Sequence, residues 1–291
     1  MGIITLPPAT GRLSQNNHSR DSAGLTYVYP VISRRAGGIS IGINLNPNNA
    51  CNWRCIYCQV PNLKRGAAPA IDLIKLEQEL RTFLYELLFG NFMQESVPPE
   101  ARVIKDIALS GNGEPTNAQE FEQIIEIIGR TKADFPLPEK LKLVLITNGS
   151  LINRIVVQKG LRRMAELNGE VWFKLDSVTQ AGRLRINNTR ASLQRIRDNL
   201  RIAASLCPIW LQTCIFKLNG VHPDKAETDA YIYFVHTLLQ EGTRIQGVLL
   251  YTLARPALQP EATILSKADS DWMEAFADKI RALGIQVKTT A

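Results

Sequence analysis

Residues 51–58 read Cys51-Asn52-Trp53-Arg54-Cys55-Ile56-Tyr57-Cys58 and place three cysteines within eight positions, at the spacing C-x3-C-x2-C. Three thiolates on one short segment can hold an iron–sulfur cluster, which is usually ligated by four cysteines. The other two cysteines, Cys207 and Cys214, lie far along the chain. The spacing therefore predicts a cluster in which one iron has no protein ligand, so that a small molecule can bind and react there.

Other uses of the three cysteines fit the sequence less well. A structural zinc site normally closes with four Cys or His ligands, and no histidine follows within the next hundred residues. A disulfide framework is typical of small secreted domains, whereas this chain is large and has an odd number of cysteines. Cysteines buried in a core strand are not expected after Asn46-Pro47-Asn48-Asn49, a turn-rich segment.

Outward from this segment, apolar runs of strand length alternate with runs of helical periodicity. Strands are predicted at 28–33, 39–45, 103–109, 141–147, 170–175, 209–216 and 246–253, with a small closing strand at 285–288. Helices are predicted at 71–89, 118–129, 153–167, 191–206, 225–240 and 271–283. The alternation predicts parallel βαβ units and an α/β fold, a partial (βα)6 TIM-like barrel with a short N-terminal extension.

The expected domain organisation is simple. Residues 1–26 are predicted to form an irregular tail, and residues 27–291 a single partial-barrel domain. The cysteine segment follows the first strand of the six. In such barrels the reactive groups gather in the loops after the strands, so this position agrees with a functional role.

The cysteine spacing, with the aromatic Tyr57 just before the third cysteine, resembles the radical S-adenosylmethionine (radical SAM) superfamily. The resemblance implies the partial-barrel fold and a [4Fe–4S] cluster on Cys51, Cys55 and Cys58. It also implies that SAM chelates the fourth iron and is cleaved reductively to a 5′-deoxyadenosyl radical. An external one-electron donor of the flavodoxin or ferredoxin type is implied as a partner.

The segment after the second of the six strands resembles the Gly-Gly-Glu-Pro motif of that superfamily, which holds the amino group of SAM. Here it reads Gly111-Asn112-Gly113-Glu114-Pro115, so Asn112 stands where the first glycine of the motif usually stands. Glycine lets a backbone approach a ligand closely. Gly111, Asn112, Gly113 and Glu114 are therefore predicted SAM contacts, and the alternative is an ordinary turn.

The ends of the next two strands supply further candidates. Lys174 and Asp176 fall on the same face of the fourth strand by the period of two. One prediction is an ion pair inside the barrel, of Lys174 with Asp176 or with Glu114. The other is contact with SAM, of Lys174 with its carboxylate or of Asp176 and Ser177 with its ribose hydroxyls, and the two can coexist. Asn148, at the end of the third strand, is predicted to reach SAM or substrate, or only to cap a turn.

A narrower resemblance covers residues 27–65, including Tyr29-Pro30-Val31-Ile32-Ser33-Arg34-Arg35 and Ser40-Ile41-Gly42. It is to bacterial and archaeal radical SAM proteins related to the wyosine-base tRNA synthases, and it implies an RNA base as a candidate substrate. The tRNA-modifying members carry a second cluster on upstream cysteines, and this chain has no cysteine before Cys51. Two alternatives stay open: a peptide-modifying or glycyl-radical-activating enzyme, and a non-enzymatic iron–sulfur redox sensor.

Composition sets broad limits. The chain has 291 residues, 45% of them hydrophobic, and a net charge of +7. This balance permits a phosphate-rich partner such as RNA without requiring one. No run of about 18 apolar residues and no secretory signal pattern is present, so no membrane association is expected. Free cysteines and a cluster predict a reducing, cytoplasmic location.

Overall fold

The computed structural model describes Leu13, residues 24–33 and residues 37–290. The strands are β1 Val28–Ser33, β2 Gly38–Ile43, β3 Ala50–Cys51, β4 Lys64–Arg65, β5 Ile104–Leu109, β6 Lys142–Thr147, β7 Gly169–Lys174, β8 Ile209–Cys214, β9 Phe216–Leu218, β10 Gly247–Tyr251, β11 Leu265–Lys267 and β12 Gln286–Thr290. The helices are α1 Leu73–Leu88, α2 Phe92–Ser96, α3 Phe121–Asp134, α4 Ile155–Glu166, α5 Gln180–Gly182, α6 Leu193–Leu206, α7 Lys225–Gln240 and α8 Ser270–Arg281. A π-helical turn, Arg183–Asn187, follows α5.

The main sheet has eight strands in the order β1-β2-β5-β6-β7-β8-β10-β12. Strand β1 pairs antiparallel with β2, and every later neighbour in the sheet is parallel. The six predicted barrel strands are β2, β5, β6, β7, β8 and β10, each followed by one of the predicted helices. The predicted partial (βα)6 barrel is confirmed.

The last predicted strand does not close the barrel. Strand β12 pairs in parallel with β10 and stands at one edge of the sheet, while β1 stands at the other. Within the described residues these two edges are not hydrogen-bonded to each other, so the sheet is a curled, open half-barrel.

Local sequence fixes where several helices begin. Asp72, Ser192 and Asp224 each precede a helix and accept a hydrogen bond from the backbone amide three residues on, at 3.0, 3.2 and 2.8 Å. Such side-chain caps satisfy amides that have no partner within the helix. The helices cover the outer face of the sheet, and their apolar sides join the main core.

The N-terminal part is described only in places. Leu13 is buried, and its amide donates to the carbonyl of Ser96 at 2.8 Å. The buried carboxylate of Glu79 accepts from the amides of Thr26 and Tyr27 at 3.0 and 2.7 Å and so anchors the entry to β1. The division into a tail over residues 1–26 and one domain over residues 27–291 stays a prediction, and Arg34 and Arg35 lie outside the described residues.

A glycine allows a tyrosine to lie on the inner face of the first strand pair. Tyr29 is directly opposite Gly42 in the antiparallel ladder. A Cβ atom on Gly42 would lie 2.2 Å from the tyrosine ring, so only glycine fits there. The ring is thereby held flat against the sheet, and its hydroxyl pairs with Ser110 Oγ at 2.8 Å.

Candidate active site

A cavity of about 330 Å³ occupies the concave face of the sheet, at the carboxyl ends of the parallel strands. It brings together most of the residues predicted from sequence, which come from four separate loops or strand ends. They are Cys51, Cys55, Tyr57, Cys58, Gly111, Asn112, Gly113, Glu114, Asn148 and Lys174. Asp176 and Ser177 do not line this cavity.

The three cysteines lie on one loop, residues 49–60, which we call the cysteine loop. Its first residues form the short strand β3, which pairs with β4. The amide of Cys58 donates to the carbonyl of Cys55 at 3.0 Å, which closes a turn between them. Asn187 Nδ2 donates to Cys55 Sγ at 3.2 Å, and the Trp53 amide donates to Cys51 Sγ at 3.5 Å. Donors are therefore already directed at two of the sulfurs.

Metal loading of these thiols requires the release of their protons. Burial raises the pKa of Cys51 and of Cys55 to about 12 in each case. Thiolates, not thiols, ligate metals, so binding must displace these protons. Among the described residues, no three His, Cys, Asp or Glu side chains converge on a single ion. Three cysteines without a fourth protein ligand are a donor set that fits an iron–sulfur cluster with one open position, whereas a structural zinc site closes with four Cys or His ligands.

The 111–114 loop packs tightly against the start of the cysteine loop. A Cβ on Gly113 would lie 2.2 Å from the carbonyl of Ala50, and one on Gly111, at φ +143°, would lie 2.4 Å from Asn44 Oδ1. Asn112 occupies the position that departs from the family motif, and its Nδ2 donates to Asn49 Oδ1 at 2.7 Å. The asparagine side chain thus adds a tie between the two loops.

Glu114 is buried and its carboxylate is fully engaged by the protein. Oε1 accepts from the amide and the hydroxyl of Thr116 at 3.1 and 2.6 Å and from the hydroxyl of Thr147 at 2.6 Å. Oε2 accepts from the amide of Asn148 at 2.7 Å. Burial raises the pKa of Glu114, and these hydrogen bonds oppose the shift. The carboxylate ties the loop after β5 to the loop after β6.

Lys174 is the cationic group of the cavity. Its Nζ donates to the hydroxyl of Tyr251 at 3.1 Å and lies 5.0 Å from the centre of the Tyr57 ring. Burial lowers the pKa of Lys174, but Tyr251, Asp176 and Cys55 raise it, and the net shift is upward. In the described part of the chain Lys174 forms no ion pair with Asp176 or with Glu114. Neither predicted internal pair is present, and the ammonium faces the cavity.

Asp176 does not line the cavity and instead accepts hydrogen bonds from other parts of the protein. Its Oδ2 accepts from the Tyr57 hydroxyl and from Asn187 Nδ2, the latter at 2.7 Å, and its Oδ1 accepts from the Cys214 amide at 3.0 Å. Burial, and then the charge of Asp176, raise the pKa of Tyr57 well above its ordinary value, so the phenol stays protonated. Ser177 accepts from the Thr179 amide at 3.2 Å and thus belongs to a turn.

Asn148 both caps a turn and joins the site. Its Oδ1 accepts from the Ser150 amide at 3.0 Å, which is the predicted turn. Its Nδ2 donates at 2.8 Å to Asn52 Oδ1 on the cysteine loop. The side chain therefore reaches from the end of β6 to the cysteine loop, and SAM contact by Asn148 stays a prediction.

The segment after β10 holds the cysteine loop through hydrogen bonds and an ion pair, which together we call the clasp. The Leu258 amide donates to the Cys58 carbonyl at 2.9 Å, and the buried Gln259 donates to the Val60 carbonyl at 3.2 Å. Arg54 and Glu261 form a two-pronged ion pair at 2.6 and 2.9 Å. No sequence pattern indicated these contacts, since the partners are separated by some 200 positions.

Polar side chains also line the deeper part of the cavity. Ser40 donates to Asp106 across β2 and β5, and both residues are buried. Gln212 on β8 is 1% exposed, and its Oε1 has no hydrogen-bond partner among the described residues. A buried carbonyl oxygen without a hydrogen-bond donor costs free energy unless a ligand supplies that donor. The depth of the cavity therefore suits a substrate that carries a hydrogen-bond donor.

Comparison with known proteins decides the family. The model of the family described as the radical SAM superfamily matches residues 45–229, well over half of the chain. The chain belongs to the radical SAM superfamily. Enzymes of this superfamily use a [4Fe–4S] cluster and SAM, so membership confirms the predicted cofactors and the enzyme class.

Curated relatives are similar over part of their length. The UPF0026 protein of Helicobacter pylori is 29% identical over 150 residues, which cover 51% of this chain and 42% of that protein. The UPF0026 protein slr1464 of Synechocystis is 29% identical over 168 residues, 57% of this chain and 54% of that protein. The chain thus matches about half the length of these relatives.

Solved structures share the fold at low sequence identity. A radical SAM methyltransferase from Sphaerobacter thermophilus has a TM-score of 0.59 at 12% identity, with 90% of this chain and 68% of that chain covered. SuiB of Streptococcus suis bound to S-adenosylmethionine has a TM-score of 0.56 at 12% identity, with 86% of this chain and 50% of that chain covered. TYW1 with a lysine–pyruvate adduct has a TM-score of 0.53 at 16% identity, with 85% of this chain and 74% of that chain covered. No helix in the described ranges is long and apolar enough to cross a membrane.

Replacing Glu114 by alanine is expected to destabilise the protein. The substitution leaves the buried amides of Thr116 and Asn148 without an acceptor, and each such group costs about 1–3 kcal/mol. We expect the free energy of unfolding of the cluster-free protein to fall by about 3 kcal/mol in a urea titration. Glu100→Ala, at an exposed position, is the control and is expected to change it by less than about 0.5 kcal/mol. Equal stability of the two variants would show that Glu114 does not hold these loops.

Proposed function

We propose that this protein cleaves SAM reductively at a [4Fe–4S] cluster ligated by Cys51, Cys55 and Cys58. The observation that carries the proposal is that all three thiols line one cavity together with the 111–114 loop. With SAM completing the coordination, the cofactors supply a 5′-deoxyadenosyl radical that removes hydrogen from a substrate. The protein binds, orients and excludes water, and the cofactors carry the difficult chemistry.

The 111–114 loop and Lys174 are proposed to hold the methionine end of SAM. Because the Glu114 carboxylate is occupied by the protein, we propose that the backbone of Gly111, Asn112 and Gly113, more than Glu114 itself, receives the SAM amino group. Lys174 lines the same cavity, and its raised pKa keeps it positively charged. It is therefore suited to the SAM carboxylate.

Asp176 is proposed to act as a positioning residue. It orients Tyr57, whose ring lies beside the Lys174 ammonium, and Asn187, which donates to Cys55. Contact of Asp176 or Ser177 with the ribose of SAM stays a prediction from sequence. Their engagement within the protein favours the indirect role.

The decisive experiment is SAM cleavage by the reconstituted protein. After anaerobic loading with iron and sulfide and reduction with dithionite, wild type is expected to form 5′-deoxyadenosine. Cys55→Ala is expected to lose this product and most of the iron, because one of three cluster ligands is gone. Cys207→Ala is the matched control, since Cys207 is buried at the end of α6, outside the cavity. Full cluster loading and cleavage by Cys55→Ala would refute the assignment, and a loaded wild-type cluster without cleavage would favour a redox sensor.

Lys174→Met is expected to weaken SAM binding by about 10- to 100-fold, since hydrogen bonds to charged groups contribute about 1.5–3 kcal/mol. Calorimetric titration of the cluster-loaded protein with SAM measures this change. Lys174→Arg keeps the charge and is expected to retain part of the affinity. Lys105→Met, at an exposed position on β5, is the control. An unchanged affinity in Lys174→Met would assign the SAM carboxylate to another group.

An RNA base is the substrate class that we propose. The net charge of +7, the unpaired buried Gln212 oxygen and the fold shared with TYW1, a wyosine synthase, support it. If RNA binds, the logarithm of its association constant is expected to fall linearly with the logarithm of salt concentration. A filter-binding titration with total tRNA at several salt concentrations measures this slope. No affinity for RNA would leave a peptide substrate as the alternative.

A further inference from the structure

We propose that an arginine-lined groove beside the cysteine loop is the docking surface for a small acidic electron-transfer protein. The groove has a volume of about 670 Å³ and lies outside the cavity described above. The inference rests on the proposed function, because a cluster that cleaves SAM must first receive an electron. Radical SAM enzymes generally need an external donor for this step. We call this surface the arginine groove, and its lining residues include Arg65, Arg190, Arg195, Ser150, Asn188 and Thr189.

The charged residues that line the groove are all basic. Three arginines line it, and no aspartate or glutamate is among its lining residues. All three arginines are exposed. Arg65 donates to the carbonyl of Asn188, and Arg195 donates to the carbonyl of Ser150 at 3.3 Å, so backbone carbonyls orient two of them without neutralising them. Arg190 has no hydrogen bond or ion pair within the described ranges. Such a surface attracts an acidic partner and speeds its association.

The groove is separated from the cysteines by very little protein. Asn52 and Trp53 line the groove, and Trp53 also lines the cavity that holds the three thiols. Trp53 is 7% exposed and borders both spaces, so this residue lies between them. Arg65 is the backbone partner of Cys51 in the β3–β4 pair. A partner in the groove would thus sit directly against the cysteine loop.

The π-helical turn makes a second connection between groove and cysteines. It runs from Arg183 to Asn187 and leads into Asn188, which lines the groove. The Ile56 amide donates to the Ile186 carbonyl at 2.9 Å, and Asn187 donates to Cys55 Sγ at 3.2 Å. The groove wall and the cluster ligands are therefore parts of one hydrogen-bonded unit.

The position of Trp53 between the two spaces favours an electron donor over a substrate. A substrate must bring an atom into the cavity, and the buried Trp53 stands between the groove and that space. An electron can cross an aromatic side chain without any group moving. In the proposed step, one electron leaves the reduced partner and enters the oxidised cluster. The partner is oxidised by one electron, the cluster is reduced by one, and no bond is made or broken.

The test compares a protein donor with a small-molecule donor. The variant carries Arg65→Glu, Arg190→Glu and Arg195→Glu, and the control carries Arg162→Glu, Arg201→Glu and Arg244→Glu, three exposed arginines outside the groove. Both undergo the same change of net charge. The probes are an acidic bacterial flavodoxin and sodium dithionite. Flavodoxin affinity for the cluster-loaded protein is measured by calorimetry at low and high salt, and 5′-deoxyadenosine formation is measured with each reductant.

We expect the groove variant to lose at least about 10-fold in flavodoxin affinity, because like charges then face each other across the interface. Its flavodoxin-driven activity is expected to fall with the affinity, while its dithionite-driven activity and that of the control stay at the wild-type level. Arg190→Glu alone is expected to give a smaller loss of affinity without disturbing any hydrogen bond. If the groove variant binds flavodoxin as tightly as wild type does, the proposed docking surface is wrong. If the groove substitutions abolish tRNA binding and leave flavodoxin affinity unchanged, the groove is an RNA-binding surface instead. If wild type forms no 5′-deoxyadenosine with dithionite, the proposed function is wrong. The flavodoxin affinities measured by calorimetry still test the docking surface in that case.

Discussion

The site depends on one buried carboxylate, that of Asp176, which accepts hydrogen bonds from three separate parts of the chain. Tyr57 comes from the cysteine loop, Asn187 from the π-helical turn and the Cys214 amide from the end of β8. A buried charge is tolerated only when its hydrogen-bonding capacity is filled, so each of these groups is held in place. The cysteine loop is thereby fixed to the barrel at the point where Cys55 faces the cavity.

A second buried carboxylate does similar work on the other side of the cavity. Glu114 joins the loops after β5 and β6, and Asn112 and Asn148 extend from those loops to the cysteine loop. The strands bring these segments to one edge because they are parallel. Short polar side chains then set the spacing between them. The site is thus positioned by the sheet and adjusted by amide and carboxylate contacts.

The fold and much of the site could be predicted from the sequence because their signals are local. Alternating apolar periodicities give the βα units, the cysteine spacing is contained within one loop, and Gly111–Glu114 and Asn148 directly follow strands. The side-chain period of two assigned Lys174 and Asp176 to one face, but β7 ends at Lys174. Beyond the end of the strand the period of two no longer applies, and the Asp176 side chain does not line the cavity. Asn187 and Glu261 could not be predicted, since their contacts with the cysteine loop join residues over 100 positions apart.

The clasp between the cysteine loop and residues 255–261 has a consequence for biosynthesis. Arg54 and Glu261 are separated by 207 positions, and the Cys58 carbonyl is held by the Leu258 amide. During translation the three cysteines leave the ribosome long before these partners exist. The loop therefore attains its final shape only after nearly the whole barrel has been made. Iron and sulfide delivered before residues 255–261 have been made would meet a loop that lacks these contacts.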